Sequence, residues 1–401
     1  MFRLHLVVAL LFTTSTAATA QWTIQDSRAT ADLRGIHSIG NGVAWASGTN
    51  GTVLRTIDGG ATWQPCSIPP GAEALDFRGI QAFDADTAIV MSSGKGDLSR
   101  HYKTTDACKS WKLVFTNPDK DGFWDAIEGR VTEGGWIDGC ESGSRVITGA
   151  ILGGPAVHKS NQWDTNQSPS FYLASFEIGL TCPKDQLGRS ASSIFSVPGE
   201  SVFTASNSVL NQFGPGSYWI MTGNRLIQYN VGQTVPSHFA AETFCDISIP
   251  IGRRSETAGA FSIAVRQDSA EPAKAIKIFG GWKKMSCQKA DMVVVGGDSI
   301  AINDRQNTAA FTAGENKFQM AQTSPQCFRS AVAYDDTTKT WITVGPNGTD
   351  ISTDDGRNWR ALKPASVDAP DADRNWNALS LPFVVGPKGR IAKLRTDAVK
   401  P

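Results

Sequence analysis

Three carboxylates recur in one local pattern: Asp58 in TIDGGATW (Thr56 to Trp63), Asp106 in TTDACKSW (Thr104 to Trp111) and Asp354 in STDDGRNW (Ser352 to Trp359). A carboxylate can serve as acid, base or nucleophile, and glycoside hydrolysis uses a pair of them. The surrounding residues argue for another role. In the first copy Asp58 can accept hydrogen bonds from turn N–H groups, Gly59 and Gly60 can take positive φ, and Trp63 supplies an apolar anchor on the strand that follows. A hydroxyl residue, an Asp, a small residue and Trp63, Trp111 or Trp359 at one fixed spacing describe a stapled hairpin, so these Asp residues are expected to be structural.

Other chemistries find less support. The four histidines beyond the first twenty residues (37, 101, 158 and 238) are scattered without HExxH, and the cysteines lack CxxC pairs, so no zinc site is expected. DKDG (Asp119 to Gly122) opens like a calcium loop, but Arg130 stands twelfth, where a bidentate Glu belongs, and a solvated turn is expected. There is no GxSxG, no phosphate loop and no dinucleotide fingerprint, so neither a metal nor a cofactor is expected.

Residues 1–20 read as a secretory signal: Arg3, the apolar run Leu6 to Phe12, then Ala18-Thr19-Ala20 before Gln21. A periplasmic or secreted chain with no membrane span after signal removal is expected, because no other apolar run approaches about 20 residues. The whole sequence carries 38 basic and 38 acidic residues, and removing Arg3 leaves 37 against 38, which gives no electrostatic case for nucleic acid. With 39 Gly and 12 Trp beside short β-branched runs, the chain reads as all-β with many short strands.

A small residue followed by an aliphatic one opens a strand seven times: Gly35-Ile36, Gly79-Ile80, Ala126-Ile127, Ser193-Ile194, Ser262-Ile263, Ala331-Val332 and Ala378-Leu379. A β-branched second strand follows each, as in Val43 to Gly48, Ser201 to Ser206 and Thr340 to Gly345. Seven such units of four strands predict a seven-bladed β-propeller over residues 21–401, with blades opening near 34, 78, 125, 192, 261, 330 and 377. The middle units are longer, and loop insertions are expected at Asp164 to Gly188 and at Gln267 to Ala290. TAGENKF (Thr312 to Phe318) reads as a decayed staple with Phe in the Trp position. The last unit lacks a fourth strand, and QWTIQDS (Gln21 to Ser27) resembles the strands beginning at Trp63, Trp111 and Trp359, so the N-terminal segment is expected to close the ring as the outer strand of the last blade.

The phrase LRGIHSIGNGVAWASGTNGTVLRTIDGGATW (Leu33 to Trp63) resembles the photosystem II assembly and stability factor-like propellers, within the Asp-box (BNR) repeat proteins that include sialidase and sortilin propellers. That resemblance implies an exported, monomeric propeller that binds another protein, such as a subunit of a membrane complex, and does no chemistry itself. It also raises a sialidase or glycoside-hydrolase-like enzyme, or a propeller that binds a glycan without cleaving it, as alternatives. Against the enzyme, the FRIP-type arginine motif is absent, its nearest strings being FRGI (Phe77 to Ile80) and LRGI (Leu33 to Ile36), and the five tyrosines stand in no matching context.

The residue before each opening pair should lie near the central channel: Arg34, Arg78, Asp125, Ser192, Phe261, Ser330 and Asn377, with Trp124, Arg329 and Trp376 one step earlier. Strand alternation sends neighbours to opposite faces, so some must be core. The rest would form a polar mouth whose arginines receive an acidic or C-terminal segment of a partner, with Asp125 able to neutralise only one of Arg34 and Arg78. Seven cysteines follow residue 20; Cys140 with Cys182 and Cys245 with Cys287 frame irregular stretches that a disulfide would restrain, whereas Cys66 and Cys108 are either buried thiols or a third pair.

Overall fold

In the computed structural model, seven antiparallel sheets succeed one another along the chain. It describes residues 21–401 apart from 134–139, 157–169, 188–191, 197–199, 204–206, 215–216, 231–244, 252–254, 267–286, 288, 364–368, 370, 396–397 and 400–401. The expected signal at 1–20 and most of the insertion at 267–290 therefore lie outside the described residues.

Blade one comprises β2 (Leu33–Gly40), β3 (Val43–Gly48), β4 (Val53–Thr56) and β5 (Gln64–Pro65). Blade two comprises β6 (Phe77–Ala82), β7 (Ala88–Ser92), β8 (Arg100–Thr104) and β9 (Lys112–Thr116). In blade three, β10 (Trp124–Glu133), β11 (Arg145–Ala156), β12 (Ser170–Gly179) and β13 (Asp185–Leu187) run in order, and a short β14 (Ser192–Phe195) pairs with the same β12. Blade four is β15 (Leu210–Gly214), β16 (Ser217–Met221), β17 (Arg225–Asn230) and β18 (Cys245–Ser248). Blade five is β19 (Ala258–Val265), β20 (Met292–Asp298), β21 (Ala309–Phe311) and β22 (Gln319–Met320), and blade six is β23 (Ala331–Asp335), β24 (Thr340–Gly345), β25 (Gly348–Ser352) and β26 (Arg360–Leu362). Blade seven has the order β1 (Trp22–Gln25), β29 (Ile391–Leu394), β28 (Phe383–Val385), β27 (Ala378–Ser380). This is a seven-bladed β-propeller, and its ring is closed by the N-terminal strand, with Trp22 to Gln25 in antiparallel register with Leu394 to Ile391.

Two expectations are corrected. Ser192 does not open blade four: Ser192–Phe195 pairs with β12 of blade three, and the fourth blade starts at Leu210. In the expected insertion at Asp164 to Gly188, Ser170–Gly179 and Asp185–Leu187 are strands β12 and β13 and not loop, while 164–169 and 188 lie outside the described residues. The first has a local cause: a Ser-Ile step opening an apolar run reads alike whether its strand starts a sheet or joins its edge.

The stapled hairpins join the third and fourth strands of blades one, two and six and share one hydrogen-bond pattern. In blade one, Thr62 N and Thr62 Oγ1 donate to the two Asp58 oxygens at 2.9 and 2.6 Å, and Gly60 N donates to Thr56 Oγ1 at 3.0 Å. Ser110 makes the same pair of bonds to Asp106, and Asn358 makes them to Asp354. Hydrogen bonds from the Thr62 side chain and backbone, and from Thr56, hold Asp58 down at about 2, and the Ser110 bonds likewise lower Asp106. The two residues after each Asp take positive φ, whether Gly59 and Gly60, Ala107 and Cys108, or Asp355 and Gly356. The buried Trp then packs on the preceding blade: Trp63 meets Phe383 edge-on at 5.5 Å and donates to Gln25 Oε1, and Trp111 donates to Ser67 O. Trp359 packs with Val293 and Phe311 of blade five. At the decayed copy Phe318 is buried in the core.

The first strand of each blade leaves one edge without a sheet partner. Side chains of adjacent blades accept from several of these edge N–H groups: Ser380 Oγ from Ser38, His37 Nδ1 from Ala82, Gln81 Oε1 from Gly129, Asn207 Oδ1 from Ile127 and Ser262 Oγ from Val332, at 2.8 to 3.0 Å. These inner-edge groups are thus satisfied without another strand. Among the described residues no helix is long and apolar enough to cross a membrane.

Candidate functional site

Six of the seven residues expected at the channel mouth line one cavity of about 590 Å³: Arg34, Arg78, Asp125, Phe261, Ser330 and Asn377. Strand alternation alone does not explain their common direction. In blade one Leu33 pairs with Gly48 and Gly35 with Ser47, which leaves Arg34 as an extra residue without a cross-strand partner. The same register shift falls on Arg78, Asp125 and Phe261 in blades two, three and five. A β-bulge re-aims a side chain. Four bulges at equivalent positions therefore turn four mouth residues into the cavity while the flanking Leu33, Phe77 and Trp124 stay in the core.

The cavity is divided by chemistry. On the side of blades one and two, Arg34 and Arg78 share Asp76, with Arg78 Nε donating to Asp76 Oδ2 at 3.1 Å and Arg34 Nε 3.6 Å from Asp76 Oδ1. Both arginines keep about a third of their side chains exposed, at 34 % each. Among the described residues no side chain or carbonyl accepts a hydrogen bond from their Nη atoms. Asp76 therefore hydrogen-bonds Arg78 and lies in ion-pair range of Arg34, and both guanidinium side chains line the cavity. On the side of blades four to six stand Phe203, Phe261 and Phe328; the first two stack at 4.6 Å with 19° between planes, and Phe261 meets Phe328 edge-on at 4.7 Å. Phe123 and Trp376 complete the apolar wall.

The remaining sequence candidates are placed differently. Arg329 is 1 % exposed and paired with the buried Asp350, to which Nε donates at 2.8 Å, so it is a core residue and not a partner contact. Trp124 is likewise core, packed on His101. Trp376 is buried and contributes to the cavity wall; its indole Nε1 donates to Asp373 Oδ1 at 3.2 Å and Arg390 lies over it. The carboxylate expected between the arginines is Asp76, not Asp125. Asp125 lies in the cavity wall, 6 % exposed.

Residues that sequence reasoning missed are Asp76 and, in the cavity lining, Phe123, Val202, Phe203, Ser299, Phe328 and Pro346. Asp76 was within reach, since it stands two residues before Arg78 on the approach to the same bulge. Phe203 was not. It lies in Ser201 to Ser206, expected as the second strand of blade four, but 201–203 form no strand and precede that blade, and its ring is so close to Gly223 and Gly259 that a Cβ on either would meet it at 2.6 Å.

Elsewhere, among the described residues, no group of three or more His, Cys, Asp or Glu could hold a metal ion. The loop at Asp119 is organised by its own turns, with Asn117 Oδ1 accepting from Asp119 N and Asp119 Oδ1 from Asp121 N. Disulfides join Cys66 to Cys108 between blades one and two, Cys140 to Cys182 within blade three, and Cys245 to Cys287 between blades four and five, while Cys327 is free and buried.

No protein-family model matches the chain, and no curated protein matches it in sequence. Solved structures do. One described as YCF48 bound to D1 peptide superposes with a TM-score of 0.53 at 15 % identity, covering 95 % of this chain and 100 % of that one. YCF48 from Cyanidioschyzon merolae gives a TM-score of 0.52 at 17 % identity over 94 % of this chain and 100 % of its own. At such identities the likeness is one of fold, and what this chain shares with both over nearly its whole length is the β-propeller.

Proposed function

We propose that this protein is an exported, monomeric, non-enzymatic docking scaffold that receives a segment of a partner protein at the channel mouth. The observation that carries the reading is the pair of guanidinium forks of Arg34 and Arg78, set by Asp76 and open to a cavity of about 590 Å³. Such a fork binds a carboxylate bidentately. The carboxylates that suggested glycosidase chemistry support the same reading. Asp58, Asp106 and Asp354 are occupied by turn hydrogen bonds and are absent from the cavity lining, and those bonds hold all three carboxyls below their usual range, so they stay ionised and are poor proton donors at neutral pH. A structural relative solved with a D1 peptide is consistent with a peptide-receiving propeller. The partner sought is a protein of the exported compartment or the exported face of a membrane complex.

The test is affinity capture from the native compartment with the wild-type protein and with Arg34→Ala plus Arg78→Ala. The double variant is expected to keep its melting temperature within a few degrees and to capture the partner at least tenfold less well, about 1.4 kcal/mol or more. Full-strength capture by the folded double variant would place the binding surface elsewhere.

A further inference from the structure

Resting on that reading of the mouth, we infer that its occupant is a free chain terminus ending in a bulky apolar residue, with the α-carboxylate on Arg34 and Arg78 and the last side chain on the aromatic wall.

Three observations point there. The first is charge. Arg34 and Arg78 line the cavity with Asp125, and Asp76 beside them already pairs with both arginines, so the mouth has room for few added negative charges. A run of acidic side chains would bring several anions against Asp76 and Asp125, whereas one carboxylate placed on the open Nη edges meets the guanidiniums and avoids both. The second is the opposite wall. Phe203, Phe261 and Phe328 form a stacked and edge-on cluster that offers a polar acidic segment nothing, but gives an aliphatic or aromatic side chain an apolar surface to cover. The third is size. A cavity of about 590 Å³ is that of a site for a drug-sized molecule, in the range of roughly 300–1,000 Å³. An internal segment would bring two lengths of backbone to a space of that size, whereas a terminus brings one. Carboxylate and apolar side chain then belong to the same last residue, which spans from the cationic to the aromatic side.

The experiment uses the mature protein and four fluorescein-labelled hexapeptides of otherwise neutral sequence, read by anisotropy. The first ends in Phe with a free carboxylate, the second is its C-terminal amide, the third ends in Ser with a free carboxylate, and the fourth carries an internal Asp-Asp pair and an amidated end. The first is expected to bind at least tenfold more tightly than each of the others. Arg34→Ala with Arg78→Ala should abolish the preference for carboxylate over amide, and Phe203→Ala should abolish the preference for Phe over Ser while leaving the carboxylate preference in place. If the fourth peptide binds as tightly as the first, and that binding needs the two arginines, the mouth reads internal acidic segments: the chain-end inference falls and the docking reading stands. If the first peptide binds wild type and the double arginine variant alike, both fall. If none of the four binds wild type, the chain-end inference is wrong irrespective of how the variants fold, and partner capture decides the docking reading by itself.

Discussion

Truncating Trp22 tests ring closure most directly. Its indole is 2 % exposed, lies 6.0 Å from the ring of Trp376, and donates through Nε1 to Thr349 Oγ1 at 2.9 Å, so that one side chain of the N-terminal strand ties blade seven to blade six. Thr349 Oγ1 in turn donates to Asp373 Oδ1 at 2.5 Å, and Asp373 also receives Thr349 N. Trp22→Ala removes the apolar burial and leaves a cavity, a change that costs about 3–5 kcal/mol for a buried Trp. Unfolding entropy is about 2.1 cal/mol/K per residue near 60 °C, so a cooperative unit of roughly 380 residues loses about 1 °C of melting temperature per ~0.8 kcal/mol. The expected fall is therefore about 4–6 °C, measured by near-ultraviolet circular dichroism. Ile24→Ala, on the same strand but 48 % exposed, should shift the melt by less than about 1 °C. If the two variants melt together, the strand does not close the ring in the way described.

Other perturbations separate core from mouth. Arg329→Ala strands the buried Asp350 carboxylate and should cost about 3–5 kcal/mol in urea unfolding, in contrast to the tolerated pair Arg34 and Arg78; a loss below about 1 kcal/mol would contradict the buried ion pair. His101 lies among Phe115, Trp124 and Phe176, and burial pushes its imidazole down to about 3. The unfolded chain takes up that proton below about 6.5 and the folded one only near 3, so stability is full above 6.5 and is lost as pH falls through this window, by about 2 kcal/mol between pH 7 and pH 5; in His101→Phe that share of the pH dependence should vanish, and equal slopes would refute the assignment. In the second staple Ala107 sits at φ 62, so Ala107→Gly should relieve about 1–2 kcal/mol of left-handed strain against ~0.5–1 kcal/mol of chain entropy and melt slightly higher. Gly60→Ala, at φ 86 with a Cβ 2.4 Å from Gln25 and 2.7 Å from Phe383, should melt several degrees lower, and the opposite order of these two melts would count against the shared staple geometry.

Much of the architecture was legible from local chemistry, because the staple's turn, its Asp acceptor and its Trp anchor lie within eight residues and recur at Asp58, Asp106 and Asp354. Each staple satisfies its own backbone, so its sequence dictates its shape wherever it falls. The missing outer strand of the last blade was legible too, since an unpaired edge demands a partner and only Gln21 to Ser27 remained to supply one. Blade four was misread because the pairing of Ser192–Phe195 with β12 depends on which edge is free in space, which no local pattern encodes.

At the mouth the division is sharper. The positions of Arg34, Arg78, Asp125 and Phe261 in successive repeats followed from the sequence, but their common direction did not, because a one-residue bulge overrides the period of two and only cross-strand register reveals it. Arg329 and Arg34 occupy nearly equivalent places in the repeat and have opposite fates: Asp350 on β25, 21 residues away, draws one into the core, while Asp76 holds the other at the rim by its Nε edge. Repeat spacing determines where a side chain starts; the charge it meets across the fold determines where it ends.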